Sequence, residues 1–283
     1  MLQKIVQTGR KVIPRGWSPF LRFVAKFHPD AEMYPASLEN GETFFLDLSE
    51  EMCHGYFYNG GIGHERYTVA LFKKFLQPGD AFIDVGANVG YFTRLAGKLV
   101  GQEGTVHAFE PMAKANRLLK ENVSDLQCVT LHDVAVSNEE GVGSFSIRKK
   151  GDRSSLMASS SVEKQIQVQL DTLDNTLKGE DRVDMIKIDV EGHELEVLQG
   201  AMTIIKEHRP LLYFEHLSQY AGSRGLSIGD YASLLNEHGY TLSWINPDYP
   251  QGELTTNDYS RASYIIGQPA DARRGPRLKE FVS

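Results

Sequence analysis

Cysteine is scarce in this sequence: 283 residues contain only Cys53 and Cys128, with no CxxC pair and no Cys/His cluster. That excludes a disulfide framework and a thiolate metal site, and it reads as a protein of a reducing compartment such as the cytoplasm. Cys128 lies in an apolar run and reads as buried core. No apolar stretch approaches the ~18 residues of a membrane-spanning helix, and no internal repeat is found. An excess of positive charge is also missing. The formal net charge of -7 argues against a dedicated nucleic-acid binder, because phosphate contacts need surplus Lys and Arg. An uncharged or weakly charged substrate fits better. The hydrophobic fraction of 41% and charged fraction of 24% are those of an ordinary globular protein.

Acidic residues are absent before Asp30, whereas Lys4, Arg10, Lys11, Arg15, Arg22 and Lys26 precede it. Removing those six positive charges leaves the remainder near -13. Leu2, Ile5, Val6, Val12, Ile13, Trp17, Phe20, Leu21, Phe23 and Phe27 are interleaved with the basic residues. This pattern reads as an arm packed on the body or on a second subunit, or as a surface touching anionic lipid or glycolipid. A targeting peptide is a further reading, opposed by Pro14 and Pro19 and by the lack of a small-residue cleavage site.

After the arm, Thr43 to Leu48 and Tyr56 to Tyr58 are expected to pair as short strands before a helix over roughly Glu65 to Leu76, which Pro78-Gly79 stops. A regular alternation follows. Apolar runs at Ala81–Val85, Thr105–Phe109, Cys128–Leu131, Asp184–Ile188, Leu211–Phe214, Tyr240–Ile245 and Ala262–Ile266 predict seven strands. Helices are expected over Tyr91–Leu99, Ala113–Asn122, Glu194–Lys206 and Ile228–His238. Short apolar strands alternating with helices predict an α/β fold, a mostly parallel sheet covered on both faces. Gly143–Ile147 against Gln165–Gln169 interrupts the alternation as an inserted hairpin. The expected division is a basic arm and cap over 1–78, the α/β domain over 79–268 and a tail over 269–283.

Ligands of open α/β sheets bind beyond the carboxyl ends of the strands, so those ends carry the functional argument. The first offers Asp84-Val85-Gly86-Ala87-Asn88-Val89-Gly90. Gly86 and Gly90 allow a tight turn and close approach to a ligand through Ala87 and Asn88, and the next helix N-terminus favours a carboxylate or phosphate. The second ends at Glu110-Pro111, where a carboxylate can accept both ribose hydroxyls. A dinucleotide such as NAD would want GxGxxG, but Asn88 stands at the middle glycine. Asp84 would repel a pyrophosphate, yet it can receive the ammonium of S-adenosylmethionine. The pairing therefore points to that cofactor.

The third strand end places Asp133 where it can meet the adenine amine, or serve as an ordinary turn residue. The fourth is densest: Asp189-Val190-Glu191-Gly192-His193-Glu194. Glu194 suits the first turn of a helix, while Asp189 and Glu191 fall where the methyl group is presented. The fifth adds Glu215 and His216, and strands four and five are expected to be neighbours.

These residues resemble the FkbM family of methyltransferases from about Phe57 to Ile266. The resemblance is carried by Gln77-Pro78-Gly79-Asp80, the glycine turn, Phe109-Glu110-Pro111, Val134-Ala135-Val136-Ser137, Thr172-Leu173-Asp174, Lys187-Ile188-Asp189-Val190-Glu191-Gly192 with Glu194, and Leu198-Gln199-Gly200-Ala201. It implies a class I methyltransferase fold (Rossmann-like), S-adenosylmethionine as donor, and transfer to a hydroxyl oxygen of a sugar or polyketide-like product. It lends His193 no weight and is silent on the arm before about residue 40.

An alcohol acceptor needs its proton removed during attack. Asp189 is the first expected base, with His216 and His193 next because imidazole titrates near neutrality. Alternatively Asp189, Glu191 and Glu215 hold a divalent cation such as Mg2+ that acidifies the hydroxyl. Arg153, Ser154 and Ser155, in the insertion, are expected at the acceptor pocket or its lid. The favoured reading is an O-methyltransferase acting on a glycan or glycosylated metabolite. A polyketide-like acceptor, a protein or RNA methyltransferase, and a non-catalytic adenosine-nucleotide binder are the competitors. A homo-oligomer is compatible with all of them.

Overall fold

The computed structural model describes residues 2–12, 17–61, 66–148, 162–216, 225–245, 254–255 and 264–270. Its centre is an eight-stranded sheet built from β3 (Ala81–Val85), β4 (Thr105–Phe109), β5 (Val129–His132), β9 (Met185–Ile188), β10 (Leu211–Glu215), β11 (Tyr240–Ile245), β12 (Leu254–Thr255) and β13 (Tyr264–Pro269). The order is β12-β11-β13-β10-β9-β3-β4-β5. All seven expected strands are present, and the two-residue β12 is added at the edge. Parallel ladders join β5, β4, β3, β9 and β10, while β13 inserts antiparallel between β10 and β11. The chain leaves β3 toward β4 and β5, then returns to place β9 on the other side of β3. That reversal makes the carboxyl ends of β3 and β9 the place where a ligand binds in such a sheet.

The two sheet faces are covered by different helices. On one, Ile83, Val85, Ile186, Ile188, Leu212 and Phe214 meet α8 (Glu194–Gln199), α9 (Met202–His208) and α10 (Ile228–Asn236). On the other, Phe82, Val106, Met185, Leu211 and Tyr213 meet α4 (Arg66–Phe75) and α5 (Tyr91–Val100). The period of two that separates these sets puts Asp84 and Lys187 on the α5 face. On the same side of β3 as β5, α6 (Ala113–Asn122) covers Ala108 through Leu119.

The helix expected over 194–206 is two helices. Gly200 packs so closely on the backbone of Ser137 that a β-carbon there would overlap the Ser137 carbonyl. The Asp174 carboxylate accepts the amides of Thr203 and Ile204 at 2.8 and 3.0 Å, capping the second helix from another segment. Asp174 lies in the short α7 (Leu173–Thr176), so the motifs Thr172-Leu173-Asp174 and Leu198-Gln199-Gly200-Ala201 belong to one joint. The inserted hairpin is β7 (Gly141–Arg148) on β8 (Val162–Asp171), extended by β6 (Ala135–Val136) into a three-stranded sheet. Its tip, with Arg153, Ser154 and Ser155, lies outside the described residues.

Before β3 stand α1 (Leu2–Val12), α2 (Trp17–Ala25), the hairpin β1 (Tyr34–Ser37) and β2 (Thr43–Leu46), and α3 (Glu51–Asn59). The strand expected at Tyr56–Tyr58 is instead helix. Aromatic residues favour strands, but Cys53, His54 and Phe57 recur at helical spacing and are the buried positions of α3. The partner of β2 is β1, with Pro35 on its outer side. The expectation of Cys128 as buried core is likewise corrected: it is half-buried at the margin of the α5 cluster, whereas Cys53 is buried and its thiol is pushed up to about 12 by burial. Val6, Leu21, Phe44, Leu46, Cys53 and Phe57 form one core that includes Val89 and Leu118, so the N-terminal elements pack directly on the glycine turn and on α6.

Candidate functional site

Three strand ends meet at the proposed ligand position. Beyond β3, the amides of Gly86 and Ala87 donate to the Phe109 carbonyl at 3.0 Å, folding the turn over the end of β4. Gly86 and Gly90 have φ of 79° and 88°, and Asn88 joins them in the left-handed region at 51°. Their need for glycine is partly internal. A β-carbon on Gly86 would overlap the carbonyl of Asp189, and one on Gly90 would come within 2.6 Å of Leu119 Cδ1. Ala87 is buried beside Leu119. The α5 helix starts after Gly90 with no side-chain cap and no acidic residue in its first turn, so its amides are available to an anionic group.

Glu110 sits at the end of β4, almost wholly buried. Its Oε2 accepts the Asn88 amide and its Oε1 the Met112 amide, each at 2.9 Å. Burial pushes this carboxyl up to about 7, the two amide bonds oppose that, and the charge of Asp84 adds to it. A carboxyl so placed has further lone pairs for ribose hydroxyls, whose hydrogen bonds favour its ionised form. Asp133 follows β5 in an exposed position, and His132 before it stacks on Phe109 with ring centroids 4.4 Å apart.

Asp84 requires a correction. Expected to receive the donor's ammonium, it is fully buried with both oxygens engaged: Thr93 Oγ1 donates to Oδ2 at 2.7 Å, and Lys187 Nζ reaches Oδ1 at 3.3 Å. It braces the turn from beneath instead of facing a ligand. Lys187 is the residue the sequence reading missed. It is the register partner of Asp84 on one side and of Tyr213 on the other, so a polar row crosses three strands beneath α5. Tyr213 closes the row through Thr68 at 2.6 Å. A signal was present in the sequence: a lysine within a wholly buried strand demands an acidic partner, and Asp84 stood in a neighbouring strand at the same height.

Two residues further along the strands stand half-buried Asp189 and buried Glu215. Lys187 Nζ also lies 3.6 Å from Asp189 Oδ2, and the Asp189 side chain is 23% exposed. One carboxylate oxygen from each of Asp189, Glu191 and Glu215 lies within 4.8 Å of the other two. Adjacent β9 and β10 bring them together, as the expected neighbourhood of strands four and five requires. Glu191 itself has φ of 58°, a conformation costly for a residue with a β-carbon. Glu194 holds it there: its Oε1 accepts the amides of Val190 and Gly192, which flank Glu191, at 3.2 and 3.0 Å. Glu194 thus clasps the loop rather than merely answering the helix dipole, and burial pushes it up to about 7 with Asp189 adding.

The two histidines separate. His193 is the N-cap of α8, with Nε2 at 3.0 Å from Ser137 Oγ and Nδ1 at 3.5 Å from Glu196, so its ring is committed to structure and the expectation of it as a base is corrected. His216 follows Glu215 and packs edge-on against Tyr231. Its Nδ1 is buried with no hydrogen-bond partner among the described residues, and burial lowers its pKa, which keeps the ring neutral at pH 7.

One further residue missed from sequence is Asn122, at the end of α6. Its side chain accepts the Phe45 amide at 2.6 Å and donates to the carbonyls of Phe45 and Val89 at 3.0 and 2.8 Å. It ties β2 of the N-terminal cap to the glycine turn.

The methyltransferase FkbM domain family matches residues 84–242, more than half of the chain. Among solved structures, the chain is similar to a methyltransferase FkbM from Methylobacillus flagellatus KT at 17% identity and a TM-score of 0.44, over 70% of this chain and 50% of that one. It therefore spans about half the length of that relative. A SAM-dependent methyltransferase from Aquifex aeolicus aligns at 15% identity and 0.41, over 73% of this chain and 88% of that one. The fibrillarin of Aeropyrum pernix, solved with natively bound S-adenosyl-L-methionine, aligns at 13% and 0.42, over 72% and 74%. No curated protein matches the chain.

Proposed function

This chain belongs to the methyltransferase FkbM family, and from that premise we propose that it transfers a methyl group to a hydroxyl oxygen of a sugar, glycan or glycosylated metabolite. The observation that carries the reading is the joint between Gly86 and Asp189: the turn suited to a methyl donor and the carboxylates suited to an alcohol are packed backbone to backbone. The residues fit S-adenosylmethionine as donor. The open amides at the start of α5 suit its carboxylate, and Glu110 suits its ribose. When bound, that cofactor supplies an electrophilic methyl group on a sulfonium.

The protein's part is positioning and proton removal. Asp189 accepts the acceptor's hydroxyl proton; Lys187 holds its carboxylate from below, and carboxylate oxygens of Glu191 and Glu215 stand beside it. His216, neutral and with one buried nitrogen unengaged among the described residues, is the second candidate for that proton. A different reading is favoured by the three converging carboxylates: Asp189, Glu191 and Glu215 would hold a hard divalent ion such as Mg2+, which would acidify the hydroxyl.

Turnover of labelled S-adenosylmethionine against a panel of sugars, glycans and hydroxylated natural products tests the proposal. Methyl transfer to a sugar hydroxyl supports it, and transfer only to a polyketide-like product or to protein or RNA overturns the acceptor class. Calorimetric titration with S-adenosylhomocysteine that shows no heat of binding overturns the donor assignment.

A further inference from the structure

The N-terminal helices present a surface that the methyl-transfer reading does not use. In α2, Leu21 is fully buried, while Phe20 and Phe23 stand three residues apart on the helix and Phe27 follows in the turn after its end. Phe23 and Phe27 are 60% and 74% exposed, and their rings stack edge to face with centroids 5.2 Å apart. On α1, Ile5 is exposed while its neighbour Val6 is fully buried. Four of the six large hydrophobic side chains exposed among the described residues thus fall between positions 5 and 27. Single exposed apolar residues need no account, but a cluster of phenylalanines does.

The charge along this segment is of one sign, with Arg22 of α2 paired to Glu51 of α3 at 2.9 Å. Residues 1–29 hold six Lys and Arg and no acid, against a remainder near -13. Lys4 and Lys26 are exposed, one beside Ile5 and one between Phe23 and Phe27 in the chain. A second copy docked face to face would oppose two such basic arms, which disfavours a symmetric self-contact. A bilayer with anionic headgroups offers what the surface asks for: an apolar layer for the aromatic rings, with negative charge at the depth where lysine side chains emerge. The acidic body would be repelled by the same membrane, so contact through the arm also fixes an orientation.

We propose that the Phe20–Phe23–Phe27 face, with its flanking lysines, docks this protein reversibly on an anionic membrane surface. No described helix is long and apolar enough to cross a membrane, so the contact is peripheral. The inference is independent of the acceptor named above.

Co-sedimentation of the full chain with phosphatidylcholine vesicles, with and without phosphatidylglycerol, tests it. The expected result is at least ~10-fold stronger partitioning onto the anionic vesicles, weakening as salt is raised. Phe23→Ser/Phe27→Ser should reduce that partitioning by ~10-fold or more while leaving the thermal unfolding midpoint unchanged, because both rings are exposed. Lys26→Glu should weaken binding and flatten its salt dependence. Absence of binding to either vesicle, equal binding to both, or unchanged binding by the double variant overturns the proposal. Light scattering that reveals a dimer dissolved by Phe23→Ser/Phe27→Ser also overturns it, since a second copy would then cover the face.

Discussion

Two rows of polar side chains cross the centre of the sheet, two residues apart along the same strands, and they have opposite characters. The inner row, Asp84, Lys187 and Tyr213, is sealed beneath α5, with Lys187 paired to Asp84 and hydrogen bonds from Thr93 to Asp84 and between Thr68 and Tyr213. The outer row brings half-buried Asp189 and Glu191 together with buried Glu215, and Lys187 of the inner row lies 3.6 Å from Asp189. The strands are rigid and their register fixes both rows. The inner row therefore uses its charge to hold the strand ends in place, and the outer row is the one proposed above to meet a ligand. Lys187 belongs to both, which makes it the point at which the distinction is tested.

Lys187→Met should have the largest effect. It leaves Asp84 as a buried carboxylate without its cation, a change that costs ~3–5 kcal/mol, and it should also abolish turnover; denaturant unfolding and methyl transfer measure the two losses. Retained stability would mean that the rows are not distinct. Asp189→Asn should act the other way, cutting turnover by ~10²–10⁴-fold while S-adenosylhomocysteine affinity and unfolding stay near the parent's. A loss of stability on the same scale as for Lys187→Met would place Asp189 in the inner row.

Between these sits Glu110, buried and proposed above to meet the donor's ribose. In the free protein its carboxyl is held up to about 7. Ribose hydroxyls bind its ionised form, so affinity for S-adenosylhomocysteine should rise by up to ~10-fold per pH unit below that value and level off above it. Calorimetry in buffers of different ionisation enthalpy should detect the released proton, and Glu110→Gln should flatten the profile. Stability runs the opposite way. Glu110 and Glu194 both hold protons more tightly when folded than unfolded, so their contribution is fully present below their ordinary carboxyl range and is lost as pH rises toward 7.

Asn122→Ala should cost ~1–3 kcal/mol, because it strands buried backbone groups of Phe45 and Val89, and should weaken donor binding without altering the pH profile of turnover. The smallest effect is expected from chelation: removal of divalent ions should change the rate by no more than about twofold if the outer carboxylates act as a base and its neighbours. A larger loss would transfer them to the metal reading.

Much of this arrangement was legible in the chain. The seven strands were readable because each is a short apolar run, five of them followed directly by glycine or an acid, and the gathering of Asp189, Glu191 and Glu215 followed from strand order. What escaped was set by contacts between distant segments. Gly200 breaks a helix because Ser137 lies against it, and no local propensity records that neighbour. Tyr56–Tyr58 looked like a strand because side-chain preference was weighed above the spacing of Cys53 and Phe57. Asp84 was assigned to the ligand because the lysine facing it came from a strand a hundred residues later. Asn122 closed a helix unremarkably until β2 was laid beside it.

The contact at Gly86 has a thermodynamic consequence. With no side chain between them, the donor turn and the loop that carries Asp189 are in direct backbone contact. An acceptor that shifts this loop on entry therefore changes the donor's affinity, and by linkage the donor changes the acceptor's affinity by the same factor. Under the proposed function the size of that coupling is set at position 86, where the absence of a side chain lets the two backbones touch.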